Sequence, residues 1–300
     1  MTIEQSFKDS VVINLNKPPD ITSHQAGRKV QRILGASKAG HAGTLDPFAE
    51  GILLVCLNDS TRITEYLSSL EKEYIAHFQL GMVTDTLDIT GSIVREEDPS
   101  GIDEDRIIRV LRQFEGELMQ VPPMYSAIKQ KGVPLYKLAR KGVTVPREER
   151  RVFIGVMELL SFSLPEFVVR IRCSKGTYIR SLARDIGEAL GVGAVVRRLQ
   201  RTAIGHFKIE DSVSFEALQR GVFTFSSMDE ALGHLDELIL NDDQFRLASH
   251  GTAFFAGAGM PGGELVRLKS PAGDFFAIGK LQDGGGVKIE KVFFRQPVKK

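Results

Sequence analysis

The chain has 300 residues and is 42% hydrophobic, enough for a sizeable core and too much for general disorder. Its 39 Lys and Arg nearly cancel 38 Asp and Glu, and the net charge of +1 excludes bulk polyelectrolyte binding while leaving local patches open. Two cysteines, Cys56 and Cys173, stand far apart in apolar surroundings, which excludes a disulfide scaffold and a Cys-rich zinc module.

The opening MTIEQSFKDS lacks the basic and apolar regions of a secretory signal. The longest apolar run, Ile52 to Leu57, has strand length and is far short of a membrane span. A soluble, cytoplasmic chain with no membrane partner is expected. Val11 to Asn16 is apolar and β-branched, which predicts a strand. Ser23 stands where it can cap a helix carrying Ala26, Val30, Ile33 and Leu34, with Gly35 closing it. Ile52 to Leu57 reads as a buried strand. Tyr74, Ala76, Phe78 and Leu80 alternate as on a half-buried strand. Asp103 opens a helix carrying Ile107, Ile108, Leu111 and Phe114, ended by Gly116. Arg151 to Phe162 and Phe167 to Cys173 read as two strands joined near Pro165. Tyr178 leads into a helix with Ile179, Leu182, Ala183, Ile186 and Leu190 on its apolar face, ended by Gly191. Strands and helices mix without strict βαβ alternation, so the expected class is α+β, a mixed or antiparallel sheet flanked by helices. The acidic stretch from about Phe215 to His250 predicts short helices. The glycine-rich stretch from Gly257 to Gly286, with its flanking apolar runs, predicts a small all-β module.

Charge is unevenly spread. Lys137 to Arg151 holds six basic and two acidic residues, and Arg170 to Arg201 holds eight and two. The stretch from Lys288 holds five and one, whereas Glu210 to Asp243 holds nine acidic residues and only Arg220. Three basic segments offset by one acidic segment predict a positive side for a polyanion.

The segment from Lys38 to Ile52 is the most unusual: Gly40, Gly43 and Gly51 allow special backbone angles, and Asp46 is held extended by Pro47. A carboxylate on a shaped loop beside a buried strand suits catalysis, although an Asp-Pro turn without chemistry fits the same composition. The chain carries no Gly-rich phosphate loop, metal-spaced His pair or nucleophile elbow.

Five stretches in order resemble the bacterial tRNA pseudouridine synthase B family. They are Asn14 to Pro18, His41 to Leu53, Lys72 to Asp88, Val121 to Ala127 and Cys173 to Arg180. The resemblance implies a pseudouridine synthase fold over residues 1–239, with an RNA-binding insertion at about 121–151. It implies a small PUA-like β-barrel over 240–300. It implies isomerisation of uridine 55 in the T loop of tRNA, without cofactor or metal. By the same resemblance Asp46 is the nucleophile, Tyr74 stacks on the base and is a candidate proton acceptor, and Arg180 pairs with Asp46. Tyr178 and Leu199 line the pocket, His41 enters the T loop, and Lys17 and Arg62 are candidates for phosphate contacts. The expected partner is the T-arm stem-loop, bound by a monomer without guide RNA. Asp20 departs from the family pattern, which commonly has glycine there, and Arg62 stands where lysine is frequent. Two other readings share these motifs: a guide-RNA-dependent relative, and an RNA-folding protein whose chemistry is secondary.

Overall fold

The computed structural model describes residues 8–130, 132–257 and 262–293. The chain runs β1 (Val11–Lys17), α1 (Ser23–Leu34), β2 (Ala39–Ala42), β3 (Glu50–Leu57), α2 (Thr64–Ser68), β4 (Lys72–Leu80), β5 (Met82–Thr84), β6 (Ile93–Glu96), α3 (Glu104–Leu111) and β7 (Gly116–Gln120). It continues through β8 (Lys129–Gln130), β9 (Val133–Pro134), α4 (Leu135–Ala139), β10 (Arg150–Ser163), β11 (Glu166–Cys173), α5 (Ile179–Leu190), β12 (Ala194–Ile204) and β13 (Phe207–Lys208). Then come α6 (Phe215–Gln219), β14 (Ser226–Ser227) and α7 (Met228–Ala231).

A ten-stranded sheet orders its main path β14-β1-β3-β12-β4-β11-β10-β7, with β2 on β3 and β13 on β12. Its pairings are antiparallel except β3 with β12, where Gln200 faces Glu50 and Arg201 faces Gly51. The expected mixed sheet is thus present. On β4, Tyr74, Ala76, Phe78 and Leu80 point into the core and the intervening residues do not, as the period of two requires. Helices α3 and α5 cover that face: Ile107, Leu111, Leu182, Ala183 and Ile186 share one cluster with Tyr74 and Phe78. Helix α1 packs Ala26 and Val30 on Ile13 and Leu53 elsewhere on the sheet. Cys56 and Cys173 are free and buried, and burial pushes both thiols up to about 12.

Two helix ends differ from the sequence reading. Thr22, not Ser23, is the N-cap of α1, in a capping box with Gln25, because the Ser23 hydroxyl is committed elsewhere. Helix α3 starts at Asp103 as expected but stops at Leu111, and Gly116 opens β7 at φ +91°.

The C-terminal part is β15 (Asp236–Ile239), α8 (Asp242–Ser249), β16 (Phe254–Phe255), β17 (Leu265–Lys269), β18 (Phe275–Leu281) and β19 (Gly286–Val292). Its five strands follow the order β15-β17-β18-β19-β16. The acidic stretch gives three short helices but also supplies β15, so this sheet begins ahead of the composition change. The module has its own core, with Leu240, Phe254, Leu268 and Phe276. It also docks on the main body, where Ile63, Leu67 and Ile204 share a cluster with Phe275, Ile278 and Phe293. No helix among the described residues is long and apolar enough to cross a membrane.

Candidate active site

Asp46 lies on the loop between β2 and β3, and every carbonyl from Gly43 to Pro47 has a donor. Arg201 Nη2 donates to the Gly43 carbonyl at 3.0 Å and Nη1 to that of Thr44 at 3.4 Å. The Ser23 hydroxyl donates to the Leu45 carbonyl and accepts from the Leu45 amide, both at 2.8 Å. The Ala49 amide donates to Asp46, and the Asp20 amide and Lys17 Nζ both donate to Pro47. Gly51 brings the loop back into β3 at φ +100°, where a Cβ would lie 2.3 Å from the Arg201 carbonyl. Only glycine fits there. The loop is therefore a fixed platform, as a positioned nucleophile requires.

Arg180 reaches this platform from the first turn of α5. Its Nε donates to Asp46 Oδ2 at 2.8 Å and Nη2 to Oδ1 at 2.9 Å, a bidentate pair. Nη1 also donates to the Thr86 carbonyl at 3.0 Å and Nη2 to that of Tyr125 at 2.8 Å. Asp88 Oδ2 stands 3.7 Å from Nε. The guanidinium side chain is 4% exposed, whereas that of Asp46 is 30% exposed. The cation is buried and the carboxylate reaches solvent. Asp88 is itself fixed, its Oδ1 accepting from the Thr86 hydroxyl and from the Thr90 amide and hydroxyl. Between Thr86 and Asp88, Leu87 takes φ +65°, a strained backbone for leucine that turns both neighbours toward Arg180.

The start of α5 is held by a reciprocal pair. Gln120 Oε1 accepts from the Tyr178 amide at 2.8 Å, and its Nε2 donates to the Tyr178 carbonyl at 3.1 Å. The Ser181 hydroxyl donates to the Val121 carbonyl at 2.8 Å. Burial holds the Tyr178 hydroxyl above the ordinary tyrosine range; Ser126 opposes this and Asp46 adds to it. Tyr74 is raised likewise, first by burial, with Arg201 opposing and Asp46 adding. Both phenols therefore feel the Asp46 charge. Leu199, opposite Ala76 on β12, is 5% exposed and belongs to the apolar cluster of Leu45 and Tyr74. His41 is half-buried on β2 opposite Val55, its Nδ1 buried with no hydrogen-bond partner. Burial lowers its proton affinity first, helped by Arg201 and His24.

Asp46 and Arg180 are thus in contact, Tyr74 and Leu199 share an apolar cluster with Leu45 next to Asp46, and Tyr178 caps the helix that carries Arg180, whereas two other expected site residues are engaged elsewhere. Lys17 is fully buried, and its Nζ donates to the carbonyls of Pro18, Ile21 and Pro47. All three donors are used inside the protein, so it holds the loop and does not reach a phosphate. Burial, then Arg201, lowers it to about 8. Arg62 donates to the Val292 carbonyl at 2.7 Å and lies over the Phe293 ring, so it ties the C-terminal sheet to the main body. Three of that sheet's basic residues are also engaged. Arg267 and Lys269 both pair with Asp229 and Glu237, and Lys291 pairs with Glu65. Arg295, Lys299 and Lys300 lie outside the described residues. Asp20 takes φ +64°, a left-handed turn that glycine adopts freely and aspartate tolerates.

The sequence marks no site role for Asp88, Gln120 or Arg201, and it marks Ser23 only as a helix cap. The Thr84–Asp88 and Val121–Ala127 stretches were visible as motifs. What they touch was not, because the contacts join residues 55 to 134 positions from Arg180 in sequence.

Residues 31–179 match the model of the TruB family pseudouridylate synthase N-terminal domain, and residues 180–245 match that of the tRNA pseudouridylate synthase B C-terminal domain. A protein of Clostridium tetani called tRNA pseudouridine synthase B is 43% identical over 242 residues, covering 80% of this chain and 84% of its own. The chain belongs to the TruB family. A TruB relative from Dehalococcoides mccartyi is 38% identical over 294 residues, covering 96% of this chain and 98% of its own. Among solved structures, a Cbf5-Nop10-Gar1 complex contains a similar chain with a TM-score of 0.75 and 30% identity, covering 99% of this chain and 88% of that one. The TruB-family match spans the Asp46 loop and the strands below it, while the boundary between the two family models falls at Arg180.

Proposed function

We propose that this chain is a tRNA pseudouridine synthase that isomerises uridine 55 in the T loop, with Asp46 as nucleophile. The observation that carries the reading is the bidentate Arg180–Asp46 pair, with its cation buried and its carboxylate exposed. The reaction detaches uracil from C1′ through N1 and rejoins it through C5. Nothing is oxidised or hydrolysed, and a positioned carboxylate is the minimum equipment. Arg180 compensates the Asp46 charge and fixes its two oxygens, so little reorganisation is needed when the carboxylate attacks. The target base must leave its stack to reach a carboxylate at the base of a cleft. Tyr74 offers the face for it, Leu199 the apolar wall, and Tyr178 a second aromatic edge. His41, neutral at physiological pH given its lowered proton affinity, stands on the adjoining strand to fill the space the base vacates.

The phosphate-facing surface in this reading is the insertion. Lys129, Lys137, Arg140 and Lys141 are exposed with no carboxylate partner among the described residues. Arg151 pairs with Glu117 only at 3.5 Å, with both side chains well exposed, and such a pair is easily exchanged for phosphate. The protein acts in the cytoplasm as a monomer without guide RNA, and an isolated T-arm stem-loop suffices as substrate, since recognition of a local RNA fold needs no distant contact.

The test is conversion of a T-arm stem-loop by Asp46→Asn. Turnover should disappear while RNA binding stays within a few-fold. Turnover within about tenfold of the unaltered protein, roughly 1.4 kcal/mol of barrier, removes Asp46 as nucleophile.

A further inference from the structure

Arg201 is the largest fully buried side chain, 1% exposed, and no carboxylate lies within ion-pair distance of it among the described residues. A buried guanidinium without a counter-ion is expensive and calls for a compensating arrangement. Three of its donors go to backbone carbonyls: Nε to Ile52 at 2.8 Å, Nη1 to Thr44 and Nη2 to Gly43. These carbonyls lie at the root of the Asp46 loop and at the start of β3. Directly across the sheet, Arg201 of β12 faces Tyr74 of β4, and both side chains are buried on the same face, so the guanidinium lies beside the phenol. Two further buried cations stand close by: Lys17, and Lys72, whose Nζ donates only to the Ser68 and Leu70 carbonyls. The interior beneath the Asp46 loop is thus positive at one point, and the buried aromatic side chain set beside it is Tyr74.

We infer that Arg201 is a positioning residue for proton transfer, orienting and polarising the Tyr74 oxygen that takes the proton from C5 while fixing the root of the Asp46 loop. This rests on the pseudouridine-forming reading above. After uracil has rejoined the sugar, C5 carries both its new bond to C1′ and its original hydrogen. The C5–H bond breaks and its electron pair restores the ring double bond. The Tyr74 oxygen takes that proton as its own O–H proton passes to water, while N1 takes one proton from water. One proton leaves and one arrives, so no co-reactant is needed. A guanidinium against that oxygen favours its anionic form and limits its orientation, which raises its competence as an acceptor. Arginine can do this and hold two loop carbonyls at once because its donors form a planar fork; lysine cannot.

The experiment uses the full-length protein and a T-arm stem-loop carrying either uridine or 5-deuterated uridine at the target, under single turnover with enzyme in excess. Arg201→Lys and Arg201→Gln are compared with the unaltered protein, with folding checked by circular dichroism and RNA affinity by titration. The expected result is conversion slowed tenfold or more, RNA affinity within about threefold, and a larger ratio of protium to deuterium rates than the unaltered protein shows. A slowed rate with an unchanged isotope ratio overturns the inference, because Arg201 then only holds the loop. An unchanged rate overturns it too. Should neither variant fold, Arg201 belongs to the scaffold alone and the inference falls. Asp46→Asn separates the two readings: if it stays active, the proposed function fails, whereas an inactive Asp46→Asn with an unchanged isotope ratio removes only the role of Arg201.

Discussion

Arg180 and Asp46 are 134 positions apart in sequence and meet through two hydrogen bonds of 2.8 and 2.9 Å. The arginine satisfies three other acceptors at the same time: the carbonyls of Thr86 and Tyr125, and more distantly Asp88. Removing it strands two carboxylates, one of them buried. Arg180→Met should lower stability by about 3–5 kcal/mol, the usual cost of breaking a buried ion pair by deleting one partner. It should also lower turnover by more than a hundredfold. Arg180→Lys should recover part of the stability and little of the rate, since an ammonium cannot close on both oxygens. Urea unfolding and single-turnover assays measure the two effects, and equal recovery of both in the lysine variant would contradict the geometric account.

Ser23 is expected to matter for catalysis although it is remote from the chemistry. Its hydroxyl bonds both the amide and the carbonyl of Leu45, next to Asp46, and the side chain is 2% exposed. Ser23→Ala leaves two buried backbone groups without partners, at a cost of about 1–3 kcal/mol. Turnover should fall with RNA affinity unchanged. A variant that loses stability but keeps its full single-turnover rate would show that the loop tolerates the missing anchor.

Asp20 occupies a left-handed turn at φ +64°. Asp20→Gly should therefore be neutral or stabilising by a few tenths of a kcal/mol, and Asp20→Ala should destabilise by about 1 kcal/mol, because alanine has neither glycine's freedom nor a side chain that bonds locally. Thermal unfolding of the two variants gives the ranking. The reverse order would contradict the backbone account, and equal losses in both variants would mean that the aspartate serves through its side chain.

Salt dependence should distinguish the two basic regions. Lys137→Ala or Lys141→Ala in the exposed insertion should each reduce the slope of log affinity against log salt by about 0.9. Lys269→Ala should leave the slope nearly unchanged, because Asp229 and Glu237 already hold that ammonium. Filter binding of tRNA from about 50 to 200 mM salt spans the useful range. Equal slope changes at both places would put the C-terminal sheet on the RNA backbone.

The sequence alone determined the elements whose signals are local. The alternation of Tyr74 to Leu80, the Asp103 cap, the Gly191 stop and the Pro165 hairpin all follow from the properties of neighbouring residues, and each is present. The expected pairing of Asp46 with Arg180 was legible because their motifs are long and ordered, and the two side chains do meet. Other assignments failed where local chemistry allows two outcomes. Ser23 is a good cap by type, but Thr22 took that role and left the hydroxyl free to hold Leu45. Lys17 and Arg201 are basic in composition and read as surface charge, yet both are buried on backbone carbonyls. Sequence states the charge of a side chain, whereas its burial and partners are set by the chain segments that pack against it. Only the tertiary structure brings Gly43, Tyr74 and Arg201 together, and only it forces Leu87 into a left-handed turn, through contacts with α5 and β12 that no local propensity encodes.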